Sequence, residues 1–148
     1  MIETFKLQKK STRPLILMDQ IFPGCSALLD TGARISMWTK SEQMLLRLPS
    51  VRLLKEGIGF SGFGGRTDGN LYEMDLPFGS LIYPKVRIIQ HQDDRIPGFF
   101  LLSASMFEGM VYTVDREQNR FLLDTRNNQV CLLQREVNQD GELIILTQ

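Results

Sequence analysis

The sequence predicts an all-β protein, and three observations carry that prediction. Short runs of apolar residues alternate with polar ones at a period of about two. Pro, Gly, Asn and Asp gather between those runs, where strands turn. Only two stretches carry helix-start signals, and each is stopped within a few residues. With 148 residues the chain is long enough to bury the core of one ordinary domain. We read 1–148 as a single domain, with 1–13 as a flexible N-terminal segment.

Composition narrows the function. Lys+Arg and Asp+Glu are 17 each, so there is no excess positive charge to neutralise phosphates or to hold an anionic surface. Neither a nucleic-acid partner nor a membrane partner is expected. The apolar run at residues 15–18 is too short to span a bilayer or to serve as a signal core, which makes a cytoplasmic protein the expectation. Cys25 and Cys131 stand far apart with no CxxC or Cys/His spacing, so two free thiols are expected, with no metal site and no cofactor.

Residues 15–20 and 25–30 read as a β-hairpin turned at Phe22-Pro23-Gly24. It delivers Asp30 to the end of a strand, immediately before a Thr31-Gly32-Ala33 turn. Residues 34–38 alternate as a half-buried strand with Trp38 in the core. Thr39 to Glu42 matches a capping box, predicting a short helix over about 41–48 that Pro49 stops.

Five glycines fall within residues 57–65. Gly57, Gly59 and Gly62 match GxGxxG, but no helix former follows and turn residues take its place, so a dinucleotide site fails on context. A hairpin with a glycine-rich tip fits better, its Ile58, Phe60 and Phe63 offering apolar contact area. Residues 71–76 and 81–89 read as strands joined through 77–80, with Pro84 marking an edge or a bulge. The single histidine, His91, sits in a polar loop, and with no nucleophile elbow beside it a Ser-His-Asp or Cys-His scheme is disfavoured. Asp93-Asp94 lacks the further oxygen ligands of a cation site. Residues 99–102 form an apolar run, and residues 105–108 make a second capping box, stopped by Gly109. Beyond it, residues 111–114, 120–123, 129–133 and 142–146 form a meander of strands.

The segment Leu28-Leu29-Asp30-Thr31-Gly32-Ala33 resembles the active-site signature of aspartic proteases, and the trailing Ala is typical of the retropepsin-like branch. The apolar run Leu101-Leu102 resembles that family's second signature, with Ser103 where its glycine is expected and Ser105 where its Asp or Asn is expected. The resemblance spans roughly residues 15–121. It implies a closed, barrel-like acid-protease fold of one lobe with two short helices, a flap at Gly59, Phe60, Gly62, Phe63 and Gly64, and a dimer interface built with the C-terminal strands, 122–148.

Peptide hydrolysis by aspartates requires two carboxyls sharing one proton. This chain has one Asp-Thr-Gly, so the expected partner is a second copy of itself in a symmetric homodimer. On that reading Asp30 is catalytic, Thr31 bonds across the dimer axis, Gly32 gives backbone space, Ala33 lines the cleft, and Arg34, Phe60 and Phe63 wall pockets for a polypeptide substrate. The competing expectation is a non-catalytic peptide-binding or dimerisation module on the same fold.

Overall fold

In the computed structural model the described residues are 2–9, 11–62, 65–126, 133–137 and 143–147. The protein is all-β, with 52% of residues in strands. In chain order the strands are β1 (Ile2–Lys6), β2 (Leu15–Leu17), β3 (Ser26–Asp30), β4 (Ser36–Trp38), β5 (Arg52–Gly62), β6 (Gly65–Phe78), β7 (Leu81–Gln90), β8 (Phe100–Ser103), β9 (Val111–Asp115), β10 (Arg120–Asp124), β11 (Leu133–Val137) and β12 (Leu143–Thr147). They form a seven-stranded sheet of order β2-β3-β8-β4-β7-β6-β5, a three-stranded sheet β1-β10-β9 and a β11-β12 hairpin.

The expected closed barrel is not formed among the described residues. Closure of the large sheet would bring β5 onto the free edge of β2, but a bridge from Leu7 to Ile16 already occupies that edge. The segment expected to be flexible, 1–13, therefore has an ordered part: β1 pairs along its length with β10, and Phe5 is in the core. Of the expected strand 129–133, residues 129–132 lie outside the described residues, and Leu133 opens a strand over Leu133–Val137.

The β2-β3 hairpin forms as expected, with Leu15 opposite Leu28. The connection between β6 and β7 is tighter than expected, with Pro77 and Phe78 inside the ladder. Opposite Pro84 and Lys85 the register shifts, between Met74 and Leu76, as a bulge, and Lys85 adopts φ 52°.

Aromatic side chains dominate the core. Phe5 stacks on Phe78 at 4.2 Å between centroids, which fastens the small sheet to the large one. Trp38, fully buried as expected, packs edge-on against Phe100 and satisfies its indole N–H on the Ser41 carbonyl at 2.8 Å. Each such ring removes roughly 150–250 Å² from water.

The first helix is shorter than expected, the second begins one residue earlier, and each has a different cap from the one the spacing suggests. Helix α1 covers Glu42–Leu45, and Ser41 caps it by accepting from the Met44 amide. Thr39 is drawn away, its hydroxyl donating to the carbonyls of Gly98 and Phe99. A 3-10 helix covers Ala104–Phe107, capped by Ser103 and not by Ser105.

Candidate functional site

Asp30 is the last residue of β3, and its half-buried carboxyl follows three buried residues, Ser26 to Leu28, with Leu29 half-buried between. The chain reverses directly after it. The Gly32 amide donates to Asp30 Oδ1 at 2.9 Å, and the Ala33 amide donates to the Asp30 carbonyl at 3.2 Å. An amide aimed at a carboxylate oxygen fixes its orientation. A Cβ built on Gly32 would meet Oδ1 at 3.4 Å, ordinary contact, so the turn itself does not demand glycine there. Thr31 and Gly32 are exposed and open to whatever approaches the carboxyl.

A parallel strand holds this turn from below. β8 runs beside β3 and puts Ser103 opposite Asp30 in the register. The Ser103 hydroxyl, buried at 1% exposure, donates to the Ala33 carbonyl at 2.8 Å. It also lies 2.8 Å from Ser105 Oγ and accepts from the Ser105 amide at 3.2 Å. The Ser103 amide in turn donates to Ser36 Oγ at 3.0 Å, and Ser36 leans on Met106 Sδ at 3.5 Å. Ser103 and Ser105 thus build a hydrogen-bonded buttress in the positions where the family pattern has glycine and Asp or Asn.

Sequence reasoning missed Ser36 in this role. Its signal was available, since a serine at the inward position of an alternating strand needs a polar partner inside.

The glycine-rich hairpin is present as the β5-β6 pair. Its register runs from Gly59 opposite Asp68 and Phe60 opposite Thr67 to Gly62 opposite Gly65. Phe63 and Gly64 lie outside the described residues. The hairpin is bent at Gly57, where the register shifts between Lys55 and Ile58. Gly57 takes φ +64°, and its amide is held by Asn70 Oδ1 at 3.1 Å.

Arg34 opens onto a cleft of about 310 Å³ whose other walls include Arg87, Ser105 and Met106. A second hollow of about 250 Å³ lies between the hairpin base and residues 90–92. There His91 Nδ1 sits 3.2 Å from the Asp68 carbonyl.

In the adjacent loop the Arg95 guanidinium holds the Asp93 carboxyl down at about 2, a structural ion pair. No group of three or more His, Cys, Asp or Glu side chains suited to a metal occurs among the described residues. Nor is any helix among them long and apolar enough to cross a membrane.

The fold and this site define an all-β domain that presents one carboxylate on a strand-end turn, braced by a parallel strand and by three serines. Comparison with protein-family models and with curated proteins returns no match.

Proposed function

We propose that the chain is one subunit of a homodimeric aspartic endopeptidase of the retropepsin-like type, built on a one-lobed acid-protease fold. The observation that carries the reading is the Asp30 turn: a carboxyl at a strand end, oriented by the Gly32 amide and braced through Ala33 by Ser103. Asp30 of each subunit would meet across a two-fold axis and share one proton. The ionised carboxyl takes a proton from water as the water oxygen attacks the scissile carbonyl carbon. The protonated carboxyl gives its proton to the carbonyl oxygen. Collapse of the tetrahedral adduct expels the amine, which takes up a proton, and the dyad is restored.

Thr31 is assigned to the dimer axis, Ala33 to the cleft wall and the β5-β6 hairpin to the flap over an extended polypeptide, whose main chain supplies much of the affinity. Surface for a second copy exists on the small sheet, where Ile2 is 67% and Val111 47% exposed on one cross-strand row through Asp124. The two cysteines, far apart and without the spacing of a disulfide framework, fit a reducing, cytoplasmic setting.

The test is incubation with an unfolded protein substrate across about pH 4 to 7, where a dyad holds its shared proton, beside Asp30→Asn. Cleavage by the native chain and background cleavage by the variant are expected. Cleavage that survives the substitution would overturn the reading, and a confirmed dimer without cleavage would identify the non-catalytic binding module.

A further inference from the structure

The cleft beside the Asp30 turn carries more chemistry than a pocket wall requires. Parallel pairing of β4 with β7 sets Ser36 beside Ile88, so Arg34, just ahead of β4, and Arg87, on β7, reach the same hollow. Both line it, with Ile35, Val86 and Met106 as apolar surface and Ser105 contributing a hydroxyl edge.

Among the described residues, no acidic side chain lines this hollow. Among the residues whose side chains are described, neither arginine forms an ion pair with an acidic side chain. Glu73 stands opposite Arg87 across the β6-β7 ladder, but its carboxylate is bonded to Arg52. Two guanidinium groups thus border an apolar floor, and guanidinium is the cation whose planar fork matches a carboxylate. The complementary group is a short apolar stem ending in a negative charge, which describes a glutamate side chain.

We propose that this cleft is a carboxylate-binding subsite that selects substrates with an acidic side chain, Glu foremost, close to the cleaved bond. The proposal rests on the peptidase reading. The cleft adjoins the catalytic turn through two contacts, Ser105 Oγ to Ser103 Oγ and Ser103 Oγ to the Ala33 carbonyl. An extended substrate advances about 3.3 Å per residue, so the test covers roughly three positions on either side of the scissile bond.

The test uses internally quenched peptides that differ only by Glu or Gln at one of those positions. At one position Glu raises kcat/KM by roughly fivefold over Gln, mainly through KM. That ratio falls to about one in the double variant Arg34→Gln, Arg87→Gln, and the double reversal Arg34→Glu, Arg87→Glu favours Lys over Gln at the same position. No position favouring Glu, or a preference that survives the double substitution, overturns the proposal.

Binding separates this from the peptidase reading. The same peptides are titrated by fluorescence anisotropy against the Asp30→Asn protein. Tighter binding of the Glu peptide, lost in the arginine variants, supports the subsite even if no peptide is ever cleaved, and equal binding of the Glu and Gln peptides overturns it. Light scattering completes the test: if the arginine variants dissociate a native dimer whose binding never distinguished Glu from Gln, the cleft holds a carboxylate of the second copy and the substrate assignment fails.

Discussion

The Ser103 hydroxyl ties the Asp30 turn to the start of the 3-10 helix at one buried point, touching the Ala33 carbonyl, the Ser105 amide and Ser105 Oγ. Its position opposite Asp30 makes it the residue on which the geometry of the turn depends. Ser103→Ala removes the donor to Ala33 and the cap of the 3-10 helix together, leaving buried polar groups unpaired. A loss of about 1–3 kcal/mol in unfolding free energy is expected, measured by urea denaturation. Ser103→Gly is expected to cost at least as much, because here the hydroxyl is part of the structure. Retention of full stability by both variants would show that the buttress lies elsewhere.

Among the elements, the β5-β6 hairpin and the β6-β7 turn each rest on a glycine with positive φ, and the two differ in an instructive way. Gly57 at φ +64° has open space where a Cβ would stand, whereas at Gly79, φ +62°, the Cβ would come within 2.9 Å of Glu3 Oε2 and 3.0 Å of Phe5 Cζ. Gly57→Ala therefore costs only the left-handed backbone conformation, about 1–2 kcal/mol. Gly79→Ala adds displacement of Glu3, which is bonded to the Ser80 amide and hydroxyl, and crowding of the Phe5-Phe78 stack, for roughly 2–4 kcal/mol in all. The order of the two melting temperatures checks the assignment, and a reversal would contradict it.

Cys25 reports on the molecule as a whole. It is fully buried, and burial, with the neighbouring Asp19 charge adding to it, pushes its thiol up to about 12. Because only the thiolate attacks a disulfide reagent, native protein at pH 8 is expected to react no faster than it opens. A Cys131→Ser chain isolates the effect: aromatic disulfide reagent labels it at once in denaturant and only slowly without. Rapid labelling of the native chain would mean that the β2-β3 hairpin opens on its own.

The sequence alone determined the all-β class, the β2-β3 hairpin, the glycine-rich hairpin and Asp30 at a strand end, because alternation, turn residues and short-range register are local properties of the chain. The buttress was implied only by the family resemblance and by no local pattern of the chain. It needs β8 to run parallel to β3 across more than seventy residues, and parallel pairing leaves no turn signature in the sequence. Competing partners, one distant and one local, also misled the capping argument. Thr39 matches a cap by spacing, but its hydroxyl goes to carbonyls brought in from Gly98 and Phe99, and Ser105 loses the cap to Ser103. Only the tertiary structure put Arg87 beside Arg34, bound β1 to β10 and left the large sheet open. Each of these was decided by which distant partner satisfied a hydrogen bond or covered an apolar edge, and that competition is settled when the whole chain packs.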